Sequence, residues 1–409
     1  MKKPELLAPA GSFEKAKIAF LYGADAVYMG TKNLSLRSRV QVEEDDLIKT
    51  IQYAHSINRK VYAAMNIFAW DDTYEQIKKQ AQILQENKVD GIIISDGGVL
   101  EEVKKVAPTI PIHISTQANT VSLHSSEFWY HNGAKRIILA RELNKKQIQY
   151  MMEHKPKDLE IELFVHGAIC FSYSGRCFLS DFLASRSANL GDCAQSCRWA
   201  FELYAEEKNH PGNLMPIEQD ENGTYIFSSK DLCLIKELPE IINMGVDSLK
   251  IEGRLKTEYY LATVINTYRT AIDDYLKAPE KYDPEKYQTE LEKTKTRGLT
   301  TFYFNDRNNK DCQEYEGKQY NPDYEFGGKV VCYTKEKSTM EIRNKLSVGD
   351  TLEIIIPGKI KPYCFTIENL WEEETEQEIS CINPGKLGQK VKLHLPIECK
   401  ENWIIRRKK

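Results

Sequence analysis

Four cysteines, Cys170, Cys177, Cys193 and Cys197, fall within the stretch AICFSYSGRCFLSDFLASRSANLGDCAQSCRW at residues 168–199. Their spacing is C-x6-C-x15-C-x3-C. The thiolate is both a nucleophile and a metal ligand, so the group could serve either chemistry. A structural zinc site ordinarily shows two close C-x2-4-C pairs, and only the second pair here is that tight. The C-x2-C of a thioredoxin-like redox pair is absent, and a lone catalytic thiol would leave three neighbours unexplained. Four thiolates at uneven spacing in a glycine-punctuated segment suit an iron–sulfur cluster, whose ligands arrive from different directions. Zinc and unligated thiols stay open on spacing alone. Cys233 is a fifth candidate, at the expected start of a helix, where a buried role is common.

Polar residues stand where apolar runs end. Asn66, Asp96, Gln117, Arg141, Glu142, His166, Glu252 and Arg254 all do so. His166, Glu252 and Gln117 are candidates for catalytic proton handling. His166 could also donate a hydrogen bond to a metal-bound cysteine, and a satisfied buried histidine is the plain alternative. Arg37, Arg39, Arg141 and Arg254, with Asn66, are candidates for substrate binding. Guanidinium groups clamp carboxylates or phosphates through two parallel hydrogen bonds. Arg37 and Arg39 alternate in SLRSR and could face the same way. No G-x-S-x-G elbow and no H-E-x-x-H occurs, so familiar hydrolase chemistry finds little support.

These residues need a scaffold, and the chain supplies a regular one. ELLAPA, AVYMG, KVYAAMN, GIIISD, IPIHIST, RIILAR, LEIELFVHG and SLKIEGR are β-rich runs separated by helical patterns. Eight near-continuous apolar strands predict an α/β fold, a TIM-like (β/α)8 barrel over residues 1–278. The rhythm breaks between strands 7 and 8, where an insertion over 168–240 carries the cysteines. Barrel active sites gather at the C-terminal strand ends, and the insertion leaves from one of them. An open doubly wound sheet is the alternative, weakened because no G-x-G-x-x-G follows the first strand. Residues 279–324 read as a charged connector. Residues 325–409 alternate short strands with Gly, Pro and Asn breaks and predict a small all-β barrel. This part ends in Arg406, Arg407, Lys408 and Lys409, a basic tag expected in solvent or against RNA.

The chain has 409 residues, 41% hydrophobic and 28% charged, a globular balance. A net charge of −4 gives no overall push toward nucleic acid but leaves room for a local basic face. No apolar run reaches membrane-span length, and the first residues lack an apolar signal core, so the cytoplasm is the expected location. Ten cysteines in that reducing compartment are not expected to form disulfides. Cys312, Cys332, Cys364, Cys381 and Cys399 read as small buried hydrophobes.

Several stretches resemble one known family. ELLAPAGSFEKAKIAFLYGADAVYMG, STQANTV, ELFVHGAICFSYSGRCFLS, GDCAQSCRW and SSKDLCLI…GVDSLKIEGR are similar to the collagenase-like peptidase-U family. RNKLSVGDTLEIIIP resembles the C-terminal domain of one branch, the prephenate-dependent tRNA uridine hydroxylases. The resemblance implies an iron–sulfur enzyme that forms 5-hydroxyuridine at the wobble position, with prephenate in place of dioxygen as hydroxyl source. It implies a [4Fe-4S] cluster on Cys170, Cys177, Cys193 and Cys197, with Cys233 the rival fourth ligand. The implied partners are a tRNA anticodon loop, prephenate and a redox partner. Tyr173, Phe171, Trp199 and Phe178 beside the cysteines could then stack on a base. A collagenase-like peptidase and an RNA-binding module with a structural metal site are the alternative readings.

Overall fold

Each apolar run becomes a strand buried on both faces, as a barrel requires. The computed structural model describes residues 1–409 except 37–41, 171, 200–203, 206–211, 213, 214, 217–228, 307–311, 313–322 and 387. Arg37, Arg39 and Phe171 therefore lie outside the described residues. The first strand, β1 (Glu5–Pro9), leads into α1 (Phe13–Leu21), capped by the Ser12 side chain on the Lys15 amide. The pattern repeats through β2 (Ala26–Gly30), α2 (Glu44–Ser56), β3 (Lys60–Ala64) and α3 (Tyr74–Glu86). It continues with β4 (Gly91–Ile94), α4 (Gly97–Val106), β5 (Ile112–Ile114) and α5 (Leu123–His131). It then reaches β6 (Ala134–Ile138), α6 (Lys145–His154) and β7 (Glu160–Ala168). Side chains cap several of these helices, with Asp96 on α4, Ser122 on α5 and an Asn144–Gln147 capping box on α6.

The seven strands pair in parallel and in sequence. The eighth, Ser248–Ile251, pairs with both β7 and β1 and closes the barrel. All eight expected runs are barrel strands. Most end earlier than the apolar pattern suggests, so Asn66, Gln117, Arg141, Glu252 and Arg254 stand just beyond strand ends, on the C-terminal rim.

After β7 the chain departs into the cysteine segment and returns as Asp231–Cys233, antiparallel to β7 with Cys233 opposite His166. Cys233 is thus in a strand, not at a helix start. Its neighbours Leu232 and Leu234 are buried with it, and β7 supplies the ladder. The expected connector also folds. Helix Pro284–Leu291 buries Tyr287 and Leu291, and Leu299–Thr300 extends the sheet beside Asp231–Cys233.

Helix Glu258–Lys277 is buried along nearly its whole length because it is covered on two sides. One side packs on the barrel, and the other meets the C-terminal domain through Asn266, which bonds the Lys359 carbonyl and the Gly358 amide at 2.8 Å each. Tyr22 reaches across likewise, donating to the Ile355 carbonyl and accepting from the Ile404 amide. That domain is an antiparallel eight-stranded sheet around Val330, Met340, Ile354, Leu370 and Val391. Its all-β character is as expected. Two of its details differ. Cys312 and Cys399 are buried, but Cys332, Cys364 and Cys381 are exposed, because a sheet with one solvated face sends alternate residues outward. The terminal basic residues are not a free tag. Arg406 is fully buried between Glu290 and Glu353, and Arg407 pairs with Glu325 and Asp350.

Candidate active site

A cavity of about 140 Å³ opens at the C-terminal end of the barrel. Cys170, Cys177, Cys193 and Cys197 all line it, together with Asn66, Gln117, Arg141, His166, Glu252 and Arg254. The structure thus gathers these residues from five strand ends and one insertion. Cys233 is not among the lining residues. It is buried on the far side of its strand, 3.9 Å from the Tyr268 hydroxyl, and burial pushes its thiol up to about 12.

The cysteine segment is pinned to the barrel by short polar contacts. Glu142 accepts from the Ser174 amide at 2.7 Å and from its hydroxyl at 3.0 Å. Asn189 clamps the backbone of Cys177, accepting from its amide at 3.2 Å and donating to its carbonyl at 2.7 Å. Ser180 accepts from the Ala194 amide. Two glycines permit the close approach. Gly167 (φ +113°) faces the Glu252 carbonyl and Gly175 (φ +76°) faces the Gln117 carbonyl, and a Cβ at either would collide.

None of the four thiols is in a disulfide, and each is half-buried. Burial pushes the Cys197 thiol up. Cys170, Cys193 and Cys177 are close enough to push it further, while Arg198 acts against them. The Gln195 amide donates to the Cys193 sulfur at 3.4 Å. Among the described residues, no three His, Cys, Asp or Glu side chains gather tightly enough to hold one metal ion. At a Zn–S distance of about 2.3 Å, a tetrahedral zinc needs its sulfurs about 3.8 Å apart. Cubane ligands bind four separate irons and stand wider than the ligands of one ion; four free, half-buried thiols around one cavity are the donor type that either group takes.

The other walls divide into held and unheld groups. Asn66 donates to the Ser115 hydroxyl at 3.0 Å and accepts from the Leu36 amide, tying down the chain that leads to Arg37. Tyr28 donates to Glu252 at 2.9 Å, and Arg254 donates to the Leu36 carbonyl. By contrast, Arg141 makes no ion pair among the described residues, and its buried Nε has no hydrogen-bond partner. His166 is fully buried, with neither Nδ1 nor Nε2 partnered among those residues, so no serine–histidine pair is assembled there. Burial, with a smaller push from Lys256, lowers its pKa to about 3, so it is neutral at pH 7.

Two contributors escaped the sequence reading. Lys250 lies beneath the cavity, buried, 3.0 Å from Glu162 and 4.2 Å from the Tyr28 ring centre. A lysine inside the apolar run SLKI was the available signal. Phe182 adds to the exposed aromatics of the cysteine segment, of which Tyr173 lines the cavity. Tyr173 is 65% exposed, Phe178 74%, Phe182 73% and Trp199 46%. Phe178 and Phe182 stack at 6.3 Å, one helical turn apart.

Fold and site together define a (β/α)8-barrel protein with a thiol-lined cavity at its reactive end and an antiparallel β domain behind it. The chain belongs to peptidase family U32, which it matches over residues 11–314. Residues 322–406 match the peptidase family U32 C-terminal domain. Among its relatives is the "tRNA hydroxylation protein P1" of Bacillus subtilis (strain 168), 38% identical over 91% of this chain and 88% of the relative. The "tRNA hydroxylation protein P" of Escherichia coli (strain K12) is 35% identical over 99% and 96% of the two chains. A "23S rRNA 5-hydroxycytidine C2501 synthase" from the same strain is 31% identical over 93% of this chain and 58% of the relative. Among the described residues, no helix is long and apolar enough to cross a membrane.

Proposed function

We propose that this protein hydroxylates tRNA, forming 5-hydroxyuridine at the wobble position, with prephenate as co-substrate and a [4Fe-4S] cluster on Cys170, Cys177, Cys193 and Cys197. The observation that carries the reading is the convergence in one cavity, with exposed Tyr173 in its wall, of four free thiols and, among the described residues, an arginine without an ion pair and an unpartnered neutral histidine. Relatives that span most of the chain bear names of tRNA hydroxylation, which supports the same substrate class.

Each residue has a task in this reading. Arg141 and Arg254 meet the two carboxylates of prephenate, and Arg37 and Arg39, outside the described residues, are further candidates for the same role. Neutral His166 offers one donor and one acceptor nitrogen to the bound molecules. Glu252, held by Tyr28, and Gln117 complete the polar wall. Tyr173, Phe178, Phe182 and Trp199 stack bases of a splayed anticodon loop and hold the target base out of its stack. Replacing C5–H by C5–OH removes two electrons from the ring, so a redox partner is required. When bound on four thiolates, the cluster would supply electron transfer.

The test is anaerobic purification followed by iron and sulfide analysis. Roughly four of each per chain are expected, falling to near zero in Cys197→Ala and persisting in Cys233→Ala. Full iron content in Cys197→Ala, or its loss only in Cys233→Ala, would reassign the ligand set. A protein without iron that cleaves a defined peptide would revive the peptidase reading.

A further inference from the structure

The barrel and the C-terminal domain enclose a second cleft, of about 410 Å³, that the site described above does not use. Lys256, Lys295, Arg297 and Lys409 line it, with Tyr324 and Phe326 as walls. Its two acids are already neutralised, Asp231 by Arg297 and Glu325 by Arg407. Among the described residues, Lys256 and Lys295 make no ion pair, whereas Lys293, Lys329 and Arg343 nearby all do. The cleft therefore carries uncompensated positive charge in a protein whose net charge is −4. Lys256 is half-buried with its ammonium 4.9 Å from the Tyr260 ring centre, so its charge is only partly hydrated. It also joins the cleft to the cavity. Burial disfavours the Lys256 charge most; Asp231 on the cleft wall attracts it, Arg297 and then Arg198, beside Cys197, repel it, and Glu252 on the cavity wall attracts it more weakly.

We propose that this cleft is a track for the RNA phosphodiester backbone that flanks the base seated in the thiol cavity, with Lys256 and Lys295 as phosphate contacts. The inference deepens the RNA reading above and rests on it. Phosphate fits where carboxylate pairing is lacking, because it restores neutrality without burying a further side chain. Lys256 and Lys295, two separate cations without an ion pair among the described residues, with Arg198 beyond Lys256, suit successive phosphates better than a single anion.

The experiment is a salt titration of binding between the anaerobically prepared full-length protein and an unmodified tRNA transcript. Each phosphate contact to a single strand contributes about 0.7 to the slope of log affinity against log salt. The double variant Lys256→Gln/Lys295→Gln is expected to lower that slope by about 1.4. Lys295→Glu, at an exposed position, is expected to weaken tRNA binding with its iron content unchanged. Wild-type slopes in both variants would overturn the track while leaving the RNA reading intact. A wild-type protein that does not bind tRNA would overturn both. Inorganic phosphate should displace tRNA no better than chloride at equal ionic strength. Phosphate-specific displacement would mark a small-anion site and overturn the backbone track.

Discussion

The two ends of the barrel handle charge in opposite ways. At the N-terminal strand ends, Arg136 contacts Glu5 at 2.6 Å, Glu160 at 2.7 Å and Glu162 at 3.0 Å, and Lys250 contacts the other oxygen of Glu162 at 3.0 Å. Tyr62 and Ser248 add hydrogen bonds to Glu5. Burial works against the Glu162 charge, yet Lys250 and Arg136 hold its pKa below the usual carboxylate range. Among the described residues at the C-terminal ends, Arg141 has no acid partner, His166 has neither nitrogen satisfied and four thiols are in no disulfide. A buried polar group without a partner costs free energy, so a fold retains it where something outside the chain completes it. His113, 4.7 Å from the Tyr62 ring, also has an unpartnered Nδ1 among the described residues, so the contrast lies in the charges: every charge of the closed network is paired, and Arg141 in the open one is not.

The largest expected effect lies at the closed end. Glu162→Ala leaves Arg136 and Lys250 short of a shared acid and should cost about 3–5 kcal/mol in urea unfolding. Arg141→Leu should change stability by less than about 1 kcal/mol, since no pair is broken. The same variant should lower the efficiency of tRNA modification by roughly 10- to 150-fold if a charged hydrogen bond is lost. Equal destabilisation by the two variants would erase the contrast.

Next come the exposed aromatics. Phe178→Ala and Trp199→Ala should leave unfolding within about 0.5 kcal/mol, because little packing is removed. Each should weaken tRNA binding by about 1–3 kcal/mol if it stacks on a base. Unchanged affinity in both would return the rim to ordinary surface.

The smallest effect is a pH slope. The pKa of His166 is lowered by burial to about 3, so above the unfolded value of 6.5 both states are neutral and its contribution is intact. As pH falls below 6.5, the unfolded chain takes up a proton that the folded chain refuses until about 3. Stability is lost across that window at about 1.4 kcal/mol per pH unit. His113, also lowered by burial, acts in the same direction. Between pH 7 and 5, His166→Gln should lose about 2 kcal/mol less than the wild type in urea melts. Parallel curves would mean that His166 is protonated or partnered in the folded protein.

The comparison also explains what the sequence made legible. Barrel strands buried on both faces read as continuous apolar runs, and polar residues that stop those runs mark the rim. Asn66, Gln117, Arg141 and His166 were found that way. Lys250 was not, because its partner Glu162 is 88 residues away and adjacent only once the barrel closes. Arg406 looked like part of a solvated tag for the same reason, since Glu290 and Glu353 lie 116 and 53 residues before it. The sequence reads as a helix start at Cys233 because three strand residues are too few for periodicity to decide. Its exclusion from the cavity follows from strand alternation, which spacing between cysteines does not encode.

The central claim is that the open end of the barrel completes itself with a cluster and a tRNA base. The most direct measurement is mass spectrometry of tRNA nucleosides from cells lacking this protein, with and without a copy restored. The account predicts that wobble 5-hydroxyuridine disappears, returns with the wild-type chain and does not return with Cys197→Ala. An unchanged nucleoside profile in the deletion, or full restoration by Cys197→Ala, would contradict it.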